Sequence, residues 1–534
     1  MEKLLLSGNE AIARGAWEAG CRVGTGYPGT PSTEILESLT EYEGVSTEWS
    51  VNEKVALEVG IGAALAGART LVTMKHVGVN VAADPLFTGS YIGVKGGLVV
   101  VTADDPSMHS SQNEQDNRNY AYHAKLPMLE PSDSQEAKEF TKLAFEISEN
   151  YDTPVLLRST TRISHSQTVV TPESRVELPP PGGFERNIRK YVMIPAYARP
   201  RHVEVEKRLR RITKDANDLA VNRMEPGDPE IGFVTAGIAY TYVRELYPNA
   251  SVLKLGMVHP MPEELIREFA SRVGRLIVVE ELDPFFELRM KAWGLQVEGK
   301  EYVPVLGELS ADRIREALEK AGVHSAKTQQ AGLSHGLRLP PRPPALCPGC
   351  PHRAVFEKLH ENDLKVTGDI GCYTLGALPP FNAMDTCVDM GASVTVAQGI
   401  EIAEGEGHKR DTVAVIGDST FAHSGIAGLI NAAYNGRHGL VIVLDNGTTA
   451  MTGMQPNPFS GERIDHSESF KLDYEKLAAA VGIGAENYRM VNAYKPDEIE
   501  AAINELRTRS GMSLLVVKGT CVILKQKMKK RRAA

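Results

Sequence analysis

The stretch Thr412–Gly453 constrains this chain more than any other, because it carries strand, helix and strand signals in one order. Val413–Ile416 and Leu440–Leu444 are short apolar runs rich in Val and Ile, as expected of strands covered on both faces of a parallel sheet. Ala427–Tyr434 between them has helical spacing, so the stretch predicts a βαβ unit. Each strand ends in a small polar cluster, Gly417-Asp418-Ser419 and Asp445-Asn446-Gly447. Open α/β sheets bind ligands beyond the carboxyl ends of their strands, which puts both clusters on one rim. The Asp418 carboxylate, the Asn446 amide oxygen and a backbone carbonyl are hard donors that suit Mg²⁺ holding a diphosphate. An ordinary βαβ unit with turn residues at its strand ends accounts for the same letters.

A chain of 534 residues exceeds one hydrophobic core and predicts about three or four domains. Its 48 glycines and near-average apolar content fit compact α/β domains rather than disorder. The net charge of −9, with no basic patch beyond the last few residues, argues against nucleic acid as a partner. No charged-then-apolar leader opens the sequence and no apolar run is long enough to cross a bilayer, so a cytoplasmic location without membrane contact is expected. The six cysteines, Cys21, Cys347, Cys350, Cys372, Cys387 and Cys521, are poor disulfide candidates there.

Residues 1–165 alternate strand and helix signals and form a first α/β domain. The loop Gly26–Ser32 ends in an expected N-cap, Ser32, for a helix over Thr33–Thr40; Thr30 and Ser32 are placed to meet an anion there. Glu53 opens a helix dense in Ala and Gly, where the dipole favours a carboxylate; Glu58 competes from inside the helix. His76 follows the strand Leu71–Met74, as a site residue or as a satisfied structural histidine. Arg162 and His165 are weaker candidates for a substrate carboxylate.

Residues 166–226 read as a linker, and 227–325 as a second, architectural α/β domain. Its expected strands are Ile231–Thr235, Val252–Lys254, Leu276–Val279 and Tyr302–Pro304, and its paired acids Glu280-Glu281 are expected to be solvated. A Pro-rich linker, 326–344, leads to a third domain, 345–524, and a basic tail, 525–534. That domain opens on Cys347-Pro348-Gly349-Cys350, and one C-x-x-C suits zinc, thiol redox chemistry or iron–sulfur. With Cys372 and Cys521 the thiols number four, which fits a [4Fe–4S] cluster; Cys387 is the alternative fourth ligand.

The Gly-Asp-Ser and Asp-Asn-Gly spacing resembles the thiamine-diphosphate (ThDP) motif, with Ser419 where a second glycine is usual. That resemblance implies Mg²⁺ bound by Asp418, the Asn446 side chain and the Thr448 carbonyl, with Gly417 and Ser419 lining the cofactor. The segments GYPGTPSTE, EWSVNEKVALEVGIGAALAG, TMKHVGVNVAADPL, CPGCPHR, GDIGCYTLG and LDNGTTAMTG together resemble the 2-oxoacid:ferredoxin oxidoreductases, in particular the ThDP-binding subunit of the indolepyruvate branch. The resemblance implies α/β architecture with three doubly wound domains: pyrimidine-binding, transketolase-C-like and diphosphate-binding. It implies Glu53 at N1′ of the aminopyrimidine, His76 and Thr30 near the substrate, and a cluster on Cys347, Cys350, Cys372 and Cys521. The implied reaction converts an aryl-2-oxoacid and CoA to an acyl-CoA and CO₂, with electrons passing to ferredoxin. A smaller second subunit, in a dimer of heterodimers, is expected as well. The family's subunit usually continues into a two-cluster ferredoxin domain, which this sequence lacks, so a separate electron carrier is expected. A non-oxidative ThDP decarboxylase or carboligase is the alternative, and a non-catalytic scaffold a third possibility.

Overall fold

The computed structural model describes residues 3–325, 340, 342–405 and 411–533. The chain divides into two compact units, Met1–His335 and Gly336–Ala534. Most of the expected linker 326–344, and the very end of the basic tail, lie outside the described residues.

The strands of the first unit begin with β1 (Leu4–Ser7), β2 (Val23–Gly26), β3 (Ser46–Trp49), β4 (Thr70–Lys75), β5 (Leu98–Asp104), β6 (Met128–Leu129) and β7 (Val155–Thr160). They continue as β8 (Gln167–Val170), β9 (Arg223–Glu225), β10 (Asp228–Thr235), β11 (Ala250–Lys254), β12 (Met257–His259) and β13 (Arg275–Val279). One sheet has the order β12-β6-β7-β5-β4-β2-β3, parallel except at β12. A second has the order β13-β10-β11-β9 with an antiparallel edge at β9, and β1 pairs antiparallel with β8. Every residue of β5 is buried, as a central parallel strand between helical layers requires.

Several expectations change here. Residues 166–226 carry β8, a short helix Ile188–Tyr191, a long helix Pro195–Asp215 and β9. The long helix is highly charged, yet Val205, Arg208 and Ile212 form a buried stripe, and Arg208 donates to the carbonyls of Ser90 (2.5 Å) and Asp152 (2.7 Å). β12, from the stretch read as a second domain, pairs with β6 at the edge of the first sheet. Tyr302–Pro304 is a turn with Val303 buried, not a strand.

Glu280 and Glu281 are buried rather than solvated. Glu280 accepts from Arg118 Nη1 at 2.7 Å and from the Phe286 amide at 2.9 Å, while the Leu309 amide donates to Glu281 at 2.9 Å. Buried Arg118 also pairs with Asp116, and buried Arg158, inside β7, pairs with Asp104 (2.7 Å) and Glu130 (2.6 Å), so both arginines serve this acid cluster. Ser32 does not cap its helix; its hydroxyl turns back and donates to the Gly29 carbonyl at 2.9 Å.

The second unit contains β14 (Lys365–Gly368), β15 (Thr386–Cys387), β16 (Thr412–Gly417), β17 (Gly439–Asp445), β18 (Tyr488–Asn492) and β19 (Met512–Lys518). They form one fully parallel sheet of order β15-β14-β16-β17-β19-β18. Alternation along β16 sends Val413 and Val415 to one core, with Phe356 and Ile503, and Ala414 and Ile416 to the other, with Leu429 and Phe459. The basic end of the chain is helical, Val522–Ala533. No described helix is long and apolar enough to cross a membrane.

Candidate active site

In the second unit, the residues singled out by sequence collect at one rim of the parallel sheet. β16 and β17 run in register, Gly417 opposite Leu444, so Asp418 and Asp445-Asn446 emerge side by side. Asp369 follows the neighbouring β14, and Cys521 follows β19 on the other flank. Asp418 opens a helix that passes through one wide turn, Phe421–Gly425, into Ile426–Tyr434. A side chain at Gly417 would collide with Tyr373, placing its Cβ 2.6 Å from Cε1, so this strand end has to be glycine.

Asp418 is buried and accepts from Asn457 Nδ2 at 3.1 Å. Burial first, then the neighbouring Asp445 charge, pushes its carboxyl up to about 7. Burial also raises Asp445, whose Oδ2 has no hydrogen-bond donor within reach and meets Lys518 Nζ only at 3.6 Å. Two adjacent buried carboxylates, one with an orphaned oxygen, form a site that a divalent cation would satisfy. The Asn446 Oδ1 accepts from the Thr448 amide at 3.0 Å, and Thr448 Oγ1 donates to the Gln455 carbonyl at 3.1 Å. Ser419, the motif's departure from glycine, accepts from Thr449 Oγ1 at 2.8 Å and so ties the two rim loops together.

Next to Asn446 lies a cavity of about 80 Å³ lined by Cys347, Cys350, Cys372 and Cys521, with Leu375, Met454 and His352. Burial and the neighbouring thiols push Cys350 up to about 11 and Cys372 to about 12. Cys387 is exposed in β15, with its Sγ 3.7 Å from the Asp369 carbonyl, and does not line this cavity. Among the described residues no group of three or more His, Cys, Asp or Glu side chains is arranged to hold a metal ion, so the thiols surround a space rather than a point.

In the first unit, Thr30, Glu53 and His76 follow the carboxyl ends of three neighbouring strands, β2, β3 and β4. Glu53 is buried at the start of the helix Glu53–Leu65, whose N-cap Asn52 accepts from the Val55 amide at 2.9 Å. Room for it depends on Gly78, where a Cβ would lie 2.7 Å from Glu53 Oε1. Lys75 donates to the Ser110 carbonyl at 2.7 Å; burial draws its pKa down to about 8 against the opposing pull of Asp105 and Glu53. His76 is fully buried, with Nε2 3.2 Å from the Asn113 carbonyl, and Ser110 Oγ donates to the Thr30 carbonyl at 3.3 Å. Arg162 is held by Glu308 at 2.7 Å and His165 lies 3.9 Å from Glu34, so both candidates face acids.

Sequence reasoning missed Asn457, Asp445 as a second rim acid, and His352, the partner of Asn446 at 3.2 Å. His352 was visible inside CPGCPHR, but no spacing rule links it to a residue beyond β17.

The second unit carries Asp418 and Asn446 on a parallel rim, the first carries buried Glu53 at the mouth of an Ala/Gly-rich helix, and the family models make the chain a ThDP-binding α/β protein. Residues 14–219 match the family described as "Pyruvate flavodoxin/ferredoxin oxidoreductase, thiamine diP-bdg", and residues 369–517 match "Thiamine pyrophosphate enzyme, C-terminal TPP binding domain". The chain is 43% identical to the indolepyruvate oxidoreductase subunit IorA of Archaeoglobus fulgidus, over 99% of this chain and 88% of that one. It is 41% identical to the subunit of the same name from Pyrococcus horikoshii, over 98% and 86%. A solved 2-oxoglutarate:ferredoxin oxidoreductase from Magnetococcus marinus aligns with a TM-score of 0.47 and 16% identity, over 60% of this chain and 65% of that one. The chain belongs to the ThDP-dependent 2-oxoacid:ferredoxin oxidoreductases, in the family of indolepyruvate oxidoreductase IorA subunits.

Proposed function

We propose that this chain oxidatively decarboxylates an aryl-2-oxoacid of the indolepyruvate type, and that electrons leave through a [4Fe–4S] cluster held by Cys347, Cys350, Cys372 and Cys521. One observation carries the proposal: four thiols from three separate segments line a single cavity beside Asn446. A non-oxidative decarboxylase has no need for such a gathering. In the overall reaction the 2-oxoacid and CoA become acyl-CoA, CO₂ and a proton, and two oxidised ferredoxins each gain one electron.

The paired rim acids support Mg²⁺ held by Asp418, the Asn446 amide oxygen and the Thr448 carbonyl, with Gly417 and Ser419 beside the diphosphate. Bound ThDP supplies a nucleophilic thiazolium carbon and an electron sink for the carboxylate-bearing carbon. Glu53 shares a proton with N1′ of the aminopyrimidine, and its buried setting keeps water from competing for that proton. Thr30 lines the substrate side of the first sheet's rim. His76, whose Nε2 lies 3.2 Å from the Asn113 carbonyl, holds the loop after β5 against the end of β4, near the substrate side. A smaller subunit and a ferredoxin complete the assembly, by likeness to the family.

The test is an anaerobic panel of 2-oxoacids with CoA and a viologen acceptor, with and without the neighbouring subunit, alongside iron analysis. Aryl-2-oxoacids should be oxidised fastest, with about four irons per chain. An iron-free chain, or aldehyde release without CoA or acceptor, would overturn the reading in favour of the non-oxidative alternative.

A further inference from the structure

We infer that His352 is a positioning residue that holds the Asn446 amide and ties the diphosphate rim to the cysteine cavity; this rests on the function proposed above. The orientation of Asn446 is fixed by the backbone. Its Oδ1 accepts from the Thr448 amide at 3.0 Å, so the side of the amide facing His352 must be Nδ2, and the imidazole Nε2 is its acceptor at 3.2 Å. Without that acceptor the amide keeps only the Thr448 bond, and a buried donor is left unsatisfied.

His352 also belongs to the thiol side. It lies two residues beyond Cys350 and lines the cavity. Its ring meets Tyr373, the neighbour of Cys372, edge to face at 6.3 Å. On the far side of Asn446, the Cys521 amide donates to the Asn446 carbonyl at 3.0 Å. The three segments that bear the four thiols therefore meet Asn446 or the ring that holds it. The rim is thus linked to the thiol segments through the His352 ring and one backbone hydrogen bond.

The experiment compares full-length wild type, H352Q and H352L, purified anaerobically with the partner subunit. It reads Mg²⁺-dependent ThDP affinity by calorimetry, iron per chain, and the cluster midpoint potential with and without Mg²⁺–ThDP. Gln keeps an acceptor oxygen; Leu keeps only bulk. H352L should bind ThDP about tenfold more weakly, the size of one buried hydrogen bond, with its iron retained and its potential no longer responsive to ThDP. H352Q should recover most of the affinity. Unchanged affinity in H352L, equal defects in both variants, or iron loss as the main effect would overturn the inference, the last assigning the ring to loop folding alone. A wild-type chain that binds neither ThDP nor iron would instead refute the functional reading on which it stands.

Discussion

Gly78 sits so close to Glu53 that a methyl group there would lie 2.7 Å from both its Cγ and Oε1. G78A therefore acts on the glutamate without touching any ligand. On the role proposed for Glu53, turnover should fall at least tenfold while the circular dichroism spectrum is kept, because a displaced general acid–base group typically forfeits that much or more. Asp418 illustrates the opposite conflict, between stability and binding. With burial and Asp445 raising its pKa to about 7, the folded apo chain holds a proton that the unfolded chain releases near the ordinary carboxylate range. Its contribution to stability thus falls as pH rises from about 4 to about 7, the sign expected for a raised acid. D418N should melt a few degrees higher than wild type at pH 8 without ligand, by roughly 5 °C. The same variant should lose all Mg²⁺-dependent ThDP binding, and calorimetry would show it.

The helix Ser134–Tyr151 is joined to β11 by one ion pair, Glu136 with fully buried Lys254. Burial alone would raise Glu136, but Lys254 and the Ser132 amide and hydroxyl, at 2.9 and 2.7 Å, override it and draw the carboxyl down to about 2. A depressed acid contributes stability that is fully present above its unfolded pKa and disappears as pH falls toward the folded one. The window is therefore from about 4.5 down to about 2. Wild type should lose about 2 kcal/mol more than E136Q between pH 6 and pH 3 in urea unfolding. Parallel curves for the two proteins would refute this account of the pair. The link matters because it holds the four-stranded sheet against a helix that packs on the seven-stranded one.

At the scale of the whole chain, a ligand that binds only the folded state raises the unfolding midpoint in proportion to how far it exceeds its Kd. At about a hundredfold excess the gain is about 2.7 kcal/mol, or roughly 5–10 °C for domains of this size. On the proposed Mg²⁺ site at the paired rim acids, Mg²⁺ and ThDP together should give that shift in differential scanning fluorimetry. Either alone should give much less, and a chelator should reverse the effect. Equal shifts from ThDP with and without Mg²⁺ would remove the cation from the rim.

The sequence by itself determined what depends on local pattern and on chemical identity. Val413–Ile416 and Leu440–Leu444 had to be covered strands because apolar runs of that length bury on both faces, and Asp418 and Asn446 had to follow them. The first-turn position of Glu53 and the C-x-x-C of Cys347 and Cys350 are legible in the sequence, whereas the choice of Glu53 over Glu58 and of Cys521 over Cys387 came from the family resemblance. Only the tertiary structure decided which distant residues meet. Asn446 finds His352 across 94 residues and Asp418 finds Asn457 across 39, and no periodicity encodes such pairs. Burial is equally non-local: Glu280 and Glu281 look like a solvated pair until Arg118 and the amides of Phe286 and Leu309 surround them. β12 crosses to another sheet because the free edge of β6 needs a partner, and Ser32 leaves its cap because the Gly29 carbonyl offers a nearer bond. Residue types set which chemistry is available, and packing sets which groups are brought close enough to use it.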